Sequence, residues 1–360
     1  MAKREVVICG GGPAGLAAAI ELAKTGAQVL LIDENRRPGG QLFKQIHKFF
    51  GSREHNAGVR GVDIGKMLLE QTKELGVEVW LSSAVIGVFA DKRVAVLRNG
   101  ETVVVQAEKI LVCTGGAENS LSFDGWTLPG VMGAGAAQTM INVNRVLPGQ
   151  RVLMIGSGNV GVIVTYQLLQ AGAEVAGIVE AAPKIGAYGV HAAKVRRAGV
   201  PFYLSHTIIR AEGTEKVERA VIAKLDNWDP IPGTEKEFDV NVVCIAAGLR
   251  PTSDLARMCG AKHIFVPELG GWMPAHNDEM ETSVPGVYVA GDTAGVEEAS
   301  TAMDEGRMAG VMMAYRLGHL SDAEMREKKE QINDRLSALR LGPFGERRMN
   351  AKKRIMEGRV

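Results

Sequence analysis

Cysteine is scarce in this sequence, with four residues among 360 and no CxxC pair. The spacing of Cys9, Cys113, Cys244 and Cys259 fits neither a zinc site, an iron–sulfur cluster nor a redox disulfide. Three of the four fall within predicted core strands, so we expect buried, unreactive thiols.

The chain also lacks an excess of charge, since its formal net charge is only +1. Such a balance gives no electrostatic reason to expect nucleic acid or an anionic membrane as a partner. No apolar run approaches the length of a membrane span, and the first residues lead straight into a core strand without a signal peptide. We therefore expect a soluble, cytoplasmic protein.

Glycine, by contrast, is abundant, and its first cluster follows a short apolar strand at residues 6–9. A small-residue helix follows, then an apolar run at 29–32 that ends on two acids. This order predicts a dinucleotide-binding unit, in which Gly10 permits the tight turn, Gly12 lets the backbone approach a pyrophosphate and Gly15 allows close helix packing. The residues predicted to line this site are Gly10, Gly12, Pro13, Ala14, Gly15, Asp33 and Glu34.

The same pattern occurs a second time. An apolar strand at 151–155 leads to a glycine turn, a helix at 162–171 and a strand at 175–179 that ends on an acid. An internal duplication of a whole nucleotide-binding unit is far more specific than one copy. The residues predicted to line the second site are Gly156, Gly158, Asn159, Val160, Gly161 and Glu180.

Two further segments have more than one interpretation. Residues 42–60 mix cations with aromatic rings, which fits a solvated loop with some rings turned inward or a loop near the cofactor that meets an acidic substrate or partner. Residues 322–341 are charged, with an apolar stripe at helical spacing formed by Met325, Ile332, Leu336 and Leu339. This stripe either lies on the chain's own domain or docks a partner.

The sequence resembles the two-dinucleotide-binding-domain flavoproteins of the thioredoxin-reductase-like branch. The motifs that carry this resemblance are Gly10 to Gly15, Gly39-Gly40-Gln41, Gly156 to Gly161 and Gly291-Asp292. The resemblance implies an α/β fold with two Rossmann-like domains, each with a small antiparallel meander, and a C-terminal helical tail. The implied ranges are 1–118 and 248–320 for a discontinuous FAD domain, 119–247 for an inserted NAD(P)H domain and 321–360 for the tail.

By this resemblance, Asp292 binds the ribityl-pyrophosphate part of FAD, and the backbone at Ser300 and Thr301 approaches the pyrimidine end of the flavin. A helix N-terminus there suits the negative charge of a reduced flavin. The further residues predicted to line the FAD site are Gly40, Gln41, Val85, Thr114, Gly115, Gly291, Asp292, Ser300 and Thr301.

One departure from the family bears on function. Disulfide reductases need a cysteine pair, whereas Gly39-Gly40 is followed here by Gln41-Leu42-Phe43. A closer resemblance is to the FAD/NAD-binding subunits of amine and opine oxidoreductases, such as sarcosine oxidase alpha, opine oxidase A and the hydrogen cyanide synthase middle subunit. The stretches that carry it are residues 33–41, 128–132 and 147–153.

Three functions follow from these resemblances. The first is an electron-transfer subunit that passes hydride between NAD(H) and FAD. Its partner would be either a subunit that oxidises an amine or amino acid, or an iron–sulfur or other redox protein. The second is a stand-alone NAD(P)H-dependent reductase of ferredoxin, a quinone or another small acceptor. The third is a scaffold with structural nucleotides. We expect no catalytic side chain and no metal, and NAD(H) over NADP(H), because Glu180 would repel a 2′-phosphate despite the nearby Lys184.

Overall fold

The computed structural model describes residues 2–49, 52–342 and 345–358. The chain divides into two compact units, which we call the first unit (Met1–Ala117 with Leu249–Val360) and the second unit (Glu118–Gly248). None of the helices in the described ranges combines the length and the apolar character that crossing a bilayer requires.

The chain contains both strands and helices. The strands are β1 (Ala2–Cys9), β2 (Val29–Ile32), β3 (Glu78–Trp80), β4 (Ser83–Val88), β5 (Arg93–Arg98), β6 (Glu101–Val112), β7 (Gly116–Glu118), β8 (Val131–Gly133), β9 (Arg151–Ile155), β10 (Glu174–Glu180), β11 (Phe202–Leu204), β12 (His206–Glu212), β13 (Arg219–Asp226), β14 (Asp229–Pro230), β15 (Lys236–Asp239), β16 (Val242–Ile245), β17 (Leu249–Pro251), β18 (His263–Val266), β19 (Gly271–Pro274) and β20 (Val287–Val289). The α-helices are α1 (Pro13–Lys24), α2 (Gly61–Glu74), α3 (Ala134–Thr139), α4 (Asn159–Gln170), α5 (Gly189–Arg197), α6 (Asp254–Met258), α7 (Ala299–Arg316), α8 (Asp322–Leu339) and α9 (Gly345–Met356). Uninterrupted runs of strands extend from β3 to β8 and from β11 to β17.

The first unit is built on a sheet with the strand order β3-β2-β1-β6-β5-β4, in which β20 also pairs with β6. Strand β1 runs parallel to β2 and β6, with Val7 opposite both Leu30 and Ile110. These three side chains are fully buried, as expected where helices cover both faces of a parallel sheet. Strands β4, β5 and β6 form the predicted antiparallel meander.

The second unit repeats this plan on a smaller scale. Its parallel sheet has the order β11-β10-β9-β16-β8, and a separate antiparallel group pairs β13 with β12, β14 and β15. The mixed α/β architecture with parallel sheets and C-terminal helices confirms the predicted fold class.

Helices α1 and α7 of the first unit lie unusually close together. A Cβ atom on Gly306 would overlap the carbonyl oxygen of Ala14, and one on Gly310 would lie 2.9 Å from that of Ala18. Glycine at these two positions therefore lets the helix backbones meet. This contact packs the middle of α7 against the first turns of α1.

The tail lies on the first unit. Ile332 and Leu336 are buried in its core, and Met325 packs against the same cluster. The alternative in which the apolar stripe docks a partner is therefore wrong for these side chains, because the chain's own core already buries them. Helix α9 adds Ala351 and Ile355 to a smaller buried cluster.

Cations of the tail are paired with acids of the first unit. The pairs are Lys328–Glu21, Lys329–Asp278, Arg335–Asp304, Arg340–Glu297, Arg348–Glu298, Lys352–Glu305 and Arg354–Glu268. Much of the positive charge that the sequence places in the tail is thus neutralised within the chain. These internal ion pairs weaken the hypothesis that the tail offers a basic surface to an acidic electron acceptor.

The segment 42–60 agrees with the interpretation in which rings turn inward. Phe43, Phe49 and His55 are buried, and the His55 Nε2 lies 2.7 Å from the Asp304 carboxylate. Residues 50 and 51 of this segment, and residues 343, 344, 359 and 360 of the tail, lie outside the described residues.

All four cysteines are free and buried, which confirms the expected burial of the thiols. Burial raises the pKa of the Cys9 and Cys244 thiols to about 12. Thiolates, the reactive form, are therefore suppressed at neutral pH.

Candidate nucleotide-binding sites

The first glycine turn has the tight geometry that its sequence predicts. Gly10 ends β1 with a φ of 112°, and a Cβ there would overlap the Cys113 carbonyl oxygen. A Cβ on Gly15 would in turn overlap the carbonyl oxygen of Gly10. The turn and the first helical turn of α1 are therefore compact only because both positions are glycine.

Gly12 faces open space. A Cβ added there would meet no atom of the described residues within 4 Å. Gly12 is also the N-cap of α1, followed by Pro13 and Ala14, and no side-chain hydrogen bond within the described residues caps this end. The first-turn amides and the helix dipole are thus available to an anion such as a pyrophosphate.

The two acids that follow β2 have different surroundings. The buried Asp33 carboxylate accepts the backbone N–H of Gly11 at 2.8 Å and both the backbone and side-chain N–H groups of Asn35 at 2.8 and 2.9 Å. Asp33 therefore holds the glycine turn in place. Glu34 is exposed, so its carboxylate is accessible to a ligand.

The segment Gly39-Gly40-Gln41 lies against the glycine turn. The Gly39 N–H donates to the Gly11 carbonyl at 2.6 Å, and a Cβ on Gly40 would lie 3.0 Å from the Gly12 Cα. Gln41 is exposed. Val85 is partly buried in β4 and packs against the core of the first unit.

Thr114 and Gly115 follow β6, and they are hydrogen-bonded to residues that the sequence did not single out. The Thr114 hydroxyl donates to the Thr252 carbonyl at 2.6 Å, and the Gly115 N–H donates to the Thr293 hydroxyl at 2.9 Å. Thr293 is fully buried. It links the end of β6 to the Gly291–Ala294 turn.

Gly291 and Asp292 begin a short 3-10 turn, Gly291–Ala294, directly after β20. Gly291 has a φ of 66°, and a Cβ there would lie 3.1 Å from that of Ala14. The Asp292 carboxylate accepts one long hydrogen bond, from the Glu297 N–H at 3.4 Å. The residue is partly exposed, yet desolvation of its carboxyl group and repulsion from Glu305 raise its pKa to about 7.

The start of α7 completes this region. Ser300 and Thr301 are buried, and the Thr301 hydroxyl donates to the carbonyl of Glu298, the N-cap residue, at 2.6 Å. No side-chain hydrogen bond within the described residues caps α7. Its first amides are therefore open to an electronegative ligand atom.

The second glycine turn has the same close backbone approaches as the first. Gly156 has a φ of 105°, and its Cβ would overlap the Ala246 carbonyl oxygen. A Cβ on Gly161 would overlap the Gly156 carbonyl oxygen, whereas one on Gly158 would meet no described atom within 4 Å. Gly158 is the N-cap of α4, and again no side chain of the described residues caps the helix.

Glu180 takes the place that Asp33 has in the first unit. Its carboxylate accepts the Ser157 N–H at 2.9 Å, the Ser157 hydroxyl at 2.6 Å and the Ala182 N–H at 2.9 Å. The Asn159 side chain accepts the Tyr188 N–H at 3.0 Å, and Val160 is exposed. The second unit carries no acid after Glu180 to match Glu34, since Ala181 stands there.

Residues 4–306 match the family model for pyridine nucleotide-disulphide oxidoreductases. The chain belongs to this family. The recognition of the chain as a two-domain flavoprotein of the oxidoreductase class is thereby confirmed.

The chain is similar in sequence to two curated proteins. It is 30% identical to the hydrogen cyanide synthase subunit HcnB of Pseudomonas aeruginosa, over 93% of this chain and 76% of that protein. It is 29% identical to opine oxidase A of Agrobacterium tumefaciens, over 85% of this chain and 64% of that protein. Both matches agree with the narrower resemblance stated from the sequence.

Among solved structures, the oxidoreductase is similar to thioredoxin reductase from T. acidophilum. The TM-score is 0.73, with 20% sequence identity over 88% of this chain and 99% of that one. At this identity the likeness concerns the fold.

Two buried cations that support the Gly291–Ala294 turn were not predicted from the sequence. Arg340 and Lys352 are both buried, and both pair with Glu305, whose carboxylate accepts the Gly291 N–H at 3.0 Å. The charged pattern of the tail looks like a solvated helix, and nothing in it distinguishes these two cations from their exposed neighbours. Among the described residues, no cluster of three or more His, Cys, Asp or Glu is arranged to hold a metal ion.

Proposed function

We propose that this oxidoreductase is the FAD- and NAD-binding subunit of a multi-subunit amine or amino-acid dehydrogenase or oxidase. The observation that carries the proposal is the repeated glycine turn, with Gly12 and Gly158 each open beside an uncapped helix N-terminus. Two such sites suit two dinucleotides.

We assign FAD to the first unit, which corresponds to the FAD domain 1–118 and 248–320. The α1 amides would hold the pyrophosphate, Glu34 the adenosine ribose and Asp292 the ribityl chain. Asp292 fits this role because its carboxylate accepts only one hydrogen bond, a long one, from the described residues and needs donors. The first turn of α7, with Ser300 and Thr301, would face the pyrimidine end of the ring. When bound, FAD supplies the hydride and electron chemistry that no side chain offers.

We assign NAD(H) to the second unit, which corresponds to the domain 119–247. The α4 amides would hold the pyrophosphate, and Glu180 would present negative charge to the adenosine ribose. A 2′-phosphate would meet that charge, so NADH should bind better than NADPH. Lys184 is exposed on the following loop and reduces this discrimination without reversing it.

The proposed partner follows from what the relatives are named. One is a subunit of hydrogen cyanide synthase and the other is a subunit of opine oxidase. We propose that a partner subunit carries the amine-oxidising site, or that an iron–sulfur or other redox protein relays the electrons. This chain would then contribute position and electrostatics rather than a catalytic side chain.

Disulfide reduction is not the function that we favour, although the family name includes it. All four thiols are buried, and burial raises the pKa of Cys113 and Cys259 as well. A stand-alone reductase of an acidic acceptor is also less favoured, because internal ion pairs use much of the charge of the tail.

Purification of the chain from its own cells tests the subunit proposal. Native mass analysis should find the chain in a complex with a second polypeptide, and that complex should reduce an electron acceptor when an amine or amino acid is added. A flavin-loaded monomer that reduces ferredoxin or a quinone with NADH would instead establish the stand-alone reductase.

A further inference from the structure

The tail closes a ring of polar contacts around the turn that carries Asp292. The Gly291 N–H, at the start of the turn, donates to Glu305 Oε2 at 3.0 Å. The other oxygen of Glu305 lies 2.7 Å from the Lys352 Nζ of α9. Lys352 Nζ then donates to the carbonyl of Ala294, the last residue of the turn, at 2.9 Å. Both ends of the turn are thus held through one tail lysine.

Arg340, at the end of α8, supports the same turn from a second direction. Its guanidinium donates to Glu297 at 2.6 and 2.9 Å and to Glu305 at 2.7 Å. Glu297 supplies the one backbone N–H that reaches the Asp292 carboxylate. Arg340 therefore fixes both the acid that holds Gly291 and the residue that contacts Asp292.

The four charged side chains that make these contacts are buried, so the cluster depends on its balance of charge. The side chains of Lys352, Arg340, Glu297 and Glu305 are only 1%, 7%, 5% and 2% exposed. Two cations against two carboxylates leave the cluster neutral, whereas loss of one cation would leave two buried carboxylates sharing a single cation. Without Lys352, the Glu305 carboxylate loses one of the contacts that fix its position, and its displacement would disturb the acceptor of the Gly291 N–H.

We propose that the tail is part of the FAD site, with Arg340 and Lys352 as positioning residues that hold the Gly291–Ala294 turn in its binding conformation. This inference rests on the proposed assignment of FAD to the first unit. Neither cation touches the cofactor in this account, since each acts through Glu305, Glu297 or the Ala294 carbonyl. By linkage, FAD binding and the docking of α9 must strengthen each other by the same factor.

The test measures the dissociation constant of FAD from the full-length apo-protein by fluorescence titration. Lys352→Met keeps most of the apolar stem and removes the charge, and it should weaken FAD binding by about tenfold or more. Arg354→Met is the matched control, because Arg354 lies on the same helix and pairs with Glu268 near the surface. It should leave the FAD dissociation constant within about twofold of the wild type.

Amide hydrogen exchange distinguishes a tail that positions the Gly291–Ala294 turn from a tail that only packs on the core of the first unit. In the wild type, added FAD should slow exchange in both the Gly291–Ala294 turn and α9. In Lys352→Met, FAD should no longer protect α9. Arg340→Lys keeps the charge but loses the fork to Glu297, and this milder variant carries the same test if Lys352→Met does not fold.

A folded Lys352→Met or Arg340→Lys protein with a lower melting temperature but an unchanged FAD dissociation constant would overturn the inference. The tail would then only cover the core. Failure of the proposed function is a different result, in which the wild type binds FAD normally but takes no electrons from NADH. A wild type that binds no FAD at all would overturn both.

Discussion

The carboxylate of Glu180 accepts the backbone N–H of Ser157 at 2.9 Å, and it thereby braces the second glycine turn from within. Asp33 does the same for Gly11 in the first unit, at 2.8 Å. The units differ at the next position, where the first unit has an exposed acid, Glu34, and the second unit has Ala181. In the proposed assignment of NAD(H) to the second unit, Glu180 would therefore both brace its turn and discriminate between NADH and NADPH.

This double role predicts the behaviour of Glu180→Gln. Glutamine keeps an acceptor oxygen for Ser157 but removes the charge, so the ratio of flavin-reduction efficiencies for NADH and NADPH should fall by about tenfold. The wild type should prefer NADH. Asp33→Asn makes the same change in the first unit and should leave the ratio unaltered. A wild type that prefers NADPH, or an unchanged ratio in Glu180→Gln, would refute the assignment.

Asp292→Asn should weaken FAD binding by about tenfold to a hundredfold, since a charge-assisted hydrogen bond to a ribityl hydroxyl becomes a neutral one. Titration of the apo-protein with FAD measures this change. Equal FAD affinity in wild type and variant would remove Asp292 from the site.

The same carboxyl group predicts the pH dependence of the apo-protein. Its pKa is raised to about 7 in the folded chain, whereas an unfolded aspartate titrates near pH ~3.9. The folded state thus binds the proton more tightly, and the stability of the apo-protein falls as the pH rises through that window. Melting temperatures between pH 5 and 8 should show this loss in the wild type. The loss should be smaller in Asp292→Asn, and identical slopes in the two proteins would contradict the account.

Replacement of all four cysteines should leave flavin reduction by NADH intact. Serine replacements should cost stability, about 1–3 kcal/mol for each buried hydroxyl left without a partner. Alanine replacements control for that polarity, because they remove the thiols without adding a hydroxyl. Selective loss of NADH reactivity in a folded, flavin-loaded alanine variant would show that a thiol takes part.

Deletion of residues 321–360 should destabilise the first unit and release FAD. The deletion removes Ile332 and Leu336, each worth about 1.5–3 kcal/mol when buried, and it takes Arg335 from the buried Asp304. The side-chain hydrogen bonds from His55 and Arg335, with the charge of Arg307, lower the Asp304 pKa to about 2. Lys353→Ala, at an exposed position of the same tail, should change neither property. A truncated protein that keeps its FAD and its melting temperature would restore the docking role for the tail.

Much of the fold was predictable because its signals are local. Apolar runs that end on Gly10 and Gly156, each followed by a helix, specify a strand, a turn and a helix within about 20 residues. The place of the tail was not predictable, since an amphipathic stripe shows that a helix buries one face but not what covers it. The contacts of Arg340 and Lys352 with the Gly291–Ala294 turn and its supporting acids were not predictable either, because they join residues far apart in the sequence. Arg340 donates to Glu305, 35 residues away, and Lys352 donates to the Ala294 carbonyl, 58 residues away.

Anaerobic mixing of the FAD-loaded chain with NADH tests most directly whether electrons pass between the two nucleotides. The reaction is followed through the visible absorbance of the flavin. We expect NADH to bleach the flavin. In Glu180→Gln bleaching should persist, with a weaker preference for NADH over NADPH. A flavin that stays oxidised in excess NADH, in a protein shown to bind both nucleotides, would contradict electron exchange between the two sites and leave the bound nucleotides with a structural role.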